Sequence, residues 1–546
     1  MTTITVEPQN SAPARTAPSP VGPGPRPTWR ETALLLLLAV VSEVVYFLGF
    51  VVPYPLAGNA TEPFLDLNRL SGHTPESANY FAVTWAVTFA AMFIAYRRCP
   101  PHPTRAYFAV LGGAALLFSA TLMLMYPTGA ADLFDQLFQA RELAVYGKNP
   151  LLYPPGHPFF ADDPFLQYIG PSWKNAASPY GPVWQLLSAA AAWLAGTDLW
   201  RLLIALKGLV VLAYGGTALL IYATLRRVRP EWAARGALFF AWNPLVIWET
   251  AGNGHNDIVM ALFTVLCCYL LARGGRWMLL APAALALGAL TKYICILLLP
   301  IVLVAIWQMR RPPAGTPIAS RDRWYTAATG VLLSMAGFLA VAVALYVPFW
   351  FGPDTIGVLL RRDLFTASLP NSLKDLLVAQ LHMGEAAARA FVHNLANWIV
   401  IFWVIFSTAW LLFTTRPRDR EGVLAATYRS GYGIFFIYLV FGTLWFQPWY
   451  QVWFIALAPL TMSLRDTKRA LVMNAGGIAN YFVWDYFLLW NNSYGTVIQW
   501  TAGLAVNLPV LLYTLYQWLV PEPDPLSESP ALQYRSTKEL TSYDSA

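Results

Sequence analysis

Charge is the scarcest commodity in this chain. Only 12% of its 546 residues are Asp, Glu, Lys or Arg, against about 25% in a soluble domain. So few charges cannot cover a water-exposed globule of this size. Cysteine is scarce too: four residues, in no metal-ligand or disulfide spacing. Cys267, Cys268 and Cys295 lie in apolar runs and read as small core residues. Short segments of alternating polarity are missing, which excludes a transmembrane β-barrel. No cleavable leader is legible, because the first apolar run is long and lacks a small-residue cleavage site. The net charge of +7 does not indicate nucleic-acid binding, since the basic residues sit in short loops between apolar runs.

Apolar residues dominate instead: 57% of the chain, with 23 Trp and a mean hydropathy of +0.47. Runs near 20 residues recur throughout, as a polytopic all-α membrane protein requires. The expected organisation is a polar, disordered tail over 1–30, a transmembrane domain over 31–520, and a second polar tail over 521–546. Candidate spans fall at 33–53, 78–97, 106–126, 200–224, 231–249, 256–273, 277–292, 294–309, 325–350, 391–414, 429–446, 449–463, 468–490 and 497–520, a bundle of about 13–14 helices. Arg97, Arg98 and Arg105 share one loop. The stretches 226–235, 273–276, 310–323, 416–422 and 465–469 are also basic. All face the cytoplasm by the positive-inside rule if the 15-residue stretch 182–196 does not fully cross. The loops 127–181 and 351–390, the turn "GNGHND" and the stretch "FQPWY" (446–450) then share the outer face.

Polar groups at membrane depth cost roughly 2.5–3.5 kcal/mol each, so the ones present call for a reason. Spacing predicts an amphipathic helix over about 131–146, with Asp132, Asp135, Gln139 and Glu142 on one face; such a helix can lie in the membrane interface. Asp132 at its start reads either as a helix cap or as a carboxylate able to take a proton from a hydroxyl. "SPYGP" (178–182) is a turn, and Tyr180 within it can pack on a sugar ring or brace the loop. His255, Asn256 and Asp257 follow the glycine-rich "GNG". Asn256 or Asp257 can cap the next helix, and His255 can donate to a phosphate or sugar oxygen. A metal reading lacks any established ligand spacing. Lys292 divides two short apolar helices and is a candidate anion site or a snorkelling lysine. Arg361 and Arg362 put cations on the outer side, where a lipid phosphate or pairing with Asp363 accounts for them. Gln447, Trp449 and Tyr450 open a helix; an aromatic belt explains the rings, and sugar stacking is the sharper alternative. Asp485 and Lys207 lie inside apolar spans with no evident role.

In order along the chain, these stretches resemble the polytopic GT-C glycosyltransferases, in particular the bacterial polyprenyl-phosphate-mannose-dependent α-mannosyltransferases. The family pattern is an Asp, an aromatic-rich stretch, an Arg nine residues on, then G-x-N-P. Asp132, Arg141 and "GKNP" (147–150, with Asn149) match it. "SPYGPVW", "GHND", "TKYICILLLP" and "FQPWYQVW" follow in the expected order, over roughly 125–455. Gln139 and Ala140 stand where relatives often carry Asp-Gly, and Leu151 where Tyr is common.

The resemblance implies a GT-C-like bundle whose outer loop carries the catalytic helix. It implies inverting transfer of a hexose, mannose first, from a polyprenyl-phosphate sugar donor to a glycan or glycolipid acceptor outside a bacterial plasma membrane. Asp132 would be the base, with Asp135 the second candidate. Arg361, Arg362, Lys292 or His255 would hold the phosphate, and Tyr180, Trp449 and Tyr450 would shape the sugar pocket. No cofactor is required, although a divalent metal is compatible; the partners are the donor, the acceptor and membrane lipids, with no nucleic acid. A transporter or lipid-linked sugar flippase is the competing class, and it expects inverted repeats and midplane charges; no convincing internal repeat is legible, and the polar stretches gather on one face. A ligase transferring a preassembled glycan is a third reading.

Overall fold

A computed structural model describes residues 29–62, 65, 67–171, 173–312, 319–360, 364–417, 419–486 and 496–520. Residues 1–28 of the expected 1–30 tail and the whole 521–546 tail lie outside these, while Trp29 and Arg30 open the first helix. The described residues are helical, and their only β features are two isolated bridges, Pro55–Met125 and Thr366–Trp445. A bundle in lipid must satisfy its backbone internally, and helices do so within each segment.

The chain begins with α1 (Trp29–Tyr46), a short α2 (Leu67–Ser71), α3 (Pro75–Arg98) and α4 (Arg105–Leu122). Next come α5 (Asp132–Ala144), the expected loop helix, and α6 (Pro182–Ala195). The long α7 (Leu199–Val228) leads to α8 (Pro230–Ala241), α9 (Pro244–Ile247) and α10 (Asp257–Arg273). A broken pair, α11 (Ala281–Ala289) and α12 (Leu299–Arg310), precedes α13 (Ser320–Tyr346), α14 (Leu369–Ala379) and α15 (Glu385–Thr414). The chain closes with α16 (Arg420–Ile437), α17 (Gln451–Leu457), α18 (Leu464–Tyr486) and α19 (Thr496–Leu519).

Among the described residues, nine helices are long and apolar enough to cross a membrane. The shorter α8–α11 and α17 fill the interior and, together with α18, account for the remaining expected spans. Lipid-facing positions are legible on the long helices: Leu332, Phe402 and Phe413 are exposed, while α8, α10 and α17 are buried almost all round. Local signals set the helix ends. Thr74 and Ser77 form a capping box at α3, and Asp198 and Ser368 cap α7 and α14.

The bundle has two chemically distinct ends. The basic loops meet at one. Arg235 donates to the Cys99 carbonyl at 2.8 Å, Arg420 to Ala272, and Gln308 to Leu412 at 2.7 Å. The four polar stretches meet at the other. The short α6 does not change ends: Val183 N–H bonds the Leu290 carbonyl at 2.9 Å, and Ala192 and Ala195 pack with α5 and the first turns of α7. Fourteen residues rise only about 21 Å, short of a roughly 30 Å hydrocarbon core.

Two expectations about single elements change. The loop helix α5 does not lie on a surface: residues 133–142 are all buried, enclosed by α6, α7 and the loop that follows. Lys207, without a role in the sequence, is fully buried and donates to the Met123 and Met125 carbonyls just past α4, satisfying acceptors that a helix end leaves open.

Candidate active site

A cavity of about 510 Å³ opens at the polar end. Its walls come from α5 (Asp132, Asp135, Gln139), the turn at Tyr180, the break at Lys292, the stretch Gln447–Tyr450 and α18. Three helices loosen into π-turns, at Phe47–Val51, Trp248–Gly252 and Tyr438–Gly442, and none of their residues lines the cavity.

Asp132 is the first residue of α5, and Ala131 ahead of it makes no side-chain cap. The cap alternative therefore falls away: the carboxylate turns instead to Tyr180, whose hydroxyl donates to Oδ2 at 3.3 Å. His255 Nδ1 stands 3.9 Å from the same oxygen. The imidazole is stacked on Trp449, 4.0 Å between centroids and 12° between planes, and its Nε2 faces Glu249 Oε2 at 3.5 Å. Glu249 in turn accepts from Tyr481 at 2.8 Å and from Asn253 at 3.0 Å. Asn253 accepts from Gly129 N–H at 3.0 Å, three residues before Asp132. Gly254 makes this turn with φ +76°, and a Cβ there would press into Leu133 at 2.8 Å.

Lys292 has extended backbone between α11 and a 3₁₀ turn at Tyr293–Leu298. Its ammonium pairs with Asp257 Oδ1 at 2.7 Å and lies 4.0 Å from the Tyr450 ring centroid. Trp453 Nε1–H donates to the same Asp257 oxygen. The break costs no hydrogen bonds, because the Leu290 and Thr291 carbonyls accept from Val183 and Gly181 N–H. That hairpin joins Lys292 to the Tyr180 turn.

Burial raises the Asp132 carboxyl from 3.8 to about 6; Lys292 opposes this rise and the charge of Asp257 adds to it. Asp135 is also raised, by burial and by the neighbouring Asp132, against a hydrogen bond from Gly170 N–H at 3.3 Å. Burial holds His255 neutral, well below its ordinary value. Asp132 is the one of these three with part of its side chain exposed, at 22%.

The structure thus brings together Asp132, Asp135, Tyr180, Lys292, Gln447, Trp449 and Tyr450 on the cavity wall. It places His255 and Asp257 directly behind that wall, and Asn256 beside them at the start of α10. His255 therefore contacts Asp132 rather than facing a phosphate in the cavity. Arg141 and Asn149 are elsewhere. Arg141 is buried against Asp163 at 2.7 Å and stacked over Phe165. Asn149 ties the loop to the Phe349 carbonyl at 2.8 Å. Both shape the loop rather than the cavity. Arg361 and Arg362 lie outside the described residues. Among those residues no group of His, Cys, Asp and Glu side chains is arranged to hold a metal. Sequence reasoning passed over Glu249 as a site member, and Asn480, Tyr481 and Trp484 altogether; an uneven scatter of polar residues late in α18, Asp485 included, was the available signal.

The long apolar helices make this a polytopic membrane protein, and its similarity to known enzymes supplies the class, a glycosyltransferase. Residues 40–308 match the family described as "Alpha-(1->6)-mannopyranosyltransferase, N-terminal domain". It is 24% identical over 481 residues, 82% of each chain, to the "Probable alpha-(1->6)-mannopyranosyltransferase" of Mycolicibacterium smegmatis. Solved structures of the Archaeoglobus fulgidus oligosaccharyltransferase align more distantly. One is tethered with an acceptor peptide (14% identity, TM-score 0.38, 76% of this chain); another is in complex with an inhibitory peptide and a dolichol-phosphate (13%, 0.33, 74%). The chain spans 55% of the length of each. A family of transferases decides against the transporter alternative.

Proposed function

We propose that the enzyme moves a mannosyl unit from a polyprenyl-phosphate donor to a hydroxyl of a glycan or glycolipid, on the extracytoplasmic side of a bacterial plasma membrane, with inversion. The acceptor oxygen bonds to the sugar C1 as the bond from C1 to the phosphate oxygen breaks. The acceptor proton passes to Asp132, and the lipid leaves as its monophosphate. A base whose carboxyl sits near neutrality is suited to this transfer, and Tyr180 holds the accepting oxygen in place. Lys292 stabilises the charge gathering on the leaving phosphate.

The single observation that carries the reading is the placement of Asp132 and Lys292 on one cavity wall, coupled through the Tyr180 turn. A lipid-borne donor is supported by an apolar groove of about 310 Å³ lined by Leu290, Ala342, Val343, Tyr346, Val347 and Trp350. It begins two residues from Lys292 and opens among side chains on the outside of the bundle, where Val343 and Val347 are exposed.

The test is incubation of purified protein with a panel of polyprenyl-phosphate sugars, measuring free lipid phosphate and the anomeric configuration of the product by NMR. Release with the mannose donor and an inverted linkage is expected. Release with no donor in the panel, or a retained linkage, overturns the proposal.

A further inference from the structure

The cavity walls differ in chemistry. The wall at Lys292 offers a cation beside an apolar groove, which suits a lipid phosphate. The wall from α18 lies beyond the stretch that matches the family, and it presents Asn480, Tyr481, Trp484 and Asp485: an amide, two rings and a carboxylate, with no cation. Asn480 and Trp484 are four residues apart on one helix and so project side by side. The Asn480 side chain is 3% exposed, and its Nδ2 has no hydrogen-bond partner among the described residues. Leaving such a donor unmet disfavours the folded state, and a ligand oxygen would satisfy it. A buried amide next to an indole face is the chemistry that recognises a neutral sugar: the amide bonds hydroxyls and the ring packs on C–H groups.

The α18 wall is tied to the base rather than to the cation. Tyr481 donates to Glu249, Glu249 faces His255, and His255 contacts Asp132. A hydroxyl that gives its proton to Asp132 belongs to the acceptor, and the sugar bearing it extends away from the phosphate held at Lys292. We propose that α18 carries the acceptor subsite, in which Asn480 and Trp484 bind the neutral sugar that receives the transferred unit. This rests on the transfer reading for its name, but the binding it asserts is measurable without transfer.

The experiment uses two probes on the full chain in detergent, with no sugar donor present. One is the methyl glycoside of an α-linked mannose disaccharide, followed by saturation-transfer NMR. The other is undecaprenyl phosphate. Asn480→Ala and Trp484→Ala are expected to weaken disaccharide binding at least tenfold while lipid-phosphate binding stays within twofold, which also reports an intact cavity. Trp484→Phe retains most disaccharide binding, because it keeps a ring face. Lys292→Gln shows the reverse pattern. Disaccharide affinity unchanged in both alanine variants, or both ligands lost in parallel, overturns the subsite. If the disaccharide binds through α18 but the wild type releases no lipid phosphate from a polyprenyl-phosphate mannose, the subsite stands and the donor reading fails.

Discussion

Asp132→Asn separates the function of this carboxylate from its cost. The folded protein holds the group near 6 against an ordinary 3.8. A gap of about two pKa units corresponds to roughly 3 kcal/mol, an upper figure for a side chain still partly exposed. The sign follows from proton linkage. The raised value means the folded state holds its proton more tightly than the unfolded one, so this stabilising preference is complete below 3.8 and is lost as pH rises through 6. Above 6 the native state carries an ionised carboxylate that folding disfavours. Asn removes that charge at nearly constant shape. At pH 8 the variant should therefore unfold a few degrees higher than the wild type, the difference shrinking through pH 6 and vanishing near pH 4. Turnover should fall on the order of 100-fold or more, the usual worth of a positioned base. Wild-type turnover, for its part, should rise with pH through about 6 as the base ionises. The assays are scanning fluorimetry in detergent across this pH range and lipid-phosphate release. A variant that keeps turnover within tenfold moves the base elsewhere; one that is less stable at pH 8 refutes the claim that this carboxylate is held against its preference.

Lys292→Gln should raise the KM for the lipid donor at least tenfold and, because buried Asp257 is left with the Trp453 bond, should also lower the unfolding temperature; an unchanged donor dependence in initial-rate measurements rejects the phosphate role. Gly181→Ala should lower turnover at least tenfold, because a Cβ there would collide with the Leu290 carbonyl and push the Tyr180 turn from the Lys292 break; full activity would show that this spacing does not matter. Arg141→Ala strands a buried Asp163 carboxylate, a loss of about 3–5 kcal/mol, and should appear as a lower unfolding temperature with the donor KM unchanged in whatever folds. For sidedness, Asp162→Cys is exposed whereas the four native cysteines are buried, so a membrane-impermeant thiol reagent should label it on intact cells; labelling only after permeabilisation reverses the orientation.

The bundle was legible because its signal is local: long apolar runs, basic loop ends, and a 15-residue apolar stretch too short to cross. Asp132 and the "GHND" turn were legible because acids, amides and glycine are out of place among apolar residues. What these groups touch was not legible. Arg141 has a cavity residue's motif position but finds Asp163, 22 residues on, because a buried guanidinium takes the nearest carboxylate. His255 has the chemistry of a phosphate donor, yet the plane of Trp449 and the carboxylate of Glu249 turn it toward Asp132. The α18 wall has no motif: Asn480 and Trp484 acquire meaning only when a helix more than 300 residues after α5 in the sequence closes the same cavity. Such contacts depend on how helices pack, and a single sequence carries no direct record of that.

The most economical feature of the site is the way its cation and its proposed base share one support. A helix break in a membrane bundle normally exposes carbonyls that hydrocarbon cannot satisfy, and it survives only where neighbouring protein supplies donors. Here the donors are Val183 and Gly181 N–H, and the residue before them is Tyr180. The hydrogen bonds that make the break tolerable therefore also fix the turn whose hydroxyl holds Asp132. Lys292 is one residue beyond the second carbonyl, and its ammonium lies 6.0 Å from the Tyr180 ring centroid. The separation between the proposed base and the proposed phosphate-binding cation thus depends on these backbone hydrogen bonds together with the Tyr180–Asp132 and Lys292–Asp257 contacts. Charges so placed need little rearrangement when the reacting bonds change, which is the condition under which electrostatic stabilisation contributes most to rate. The same coupling links the break, the turn and the acid at the end of the bundle away from the basic loops: Val183 and Gly181 N–H close the break, and the Tyr180 hydroxyl beside them reaches Asp132.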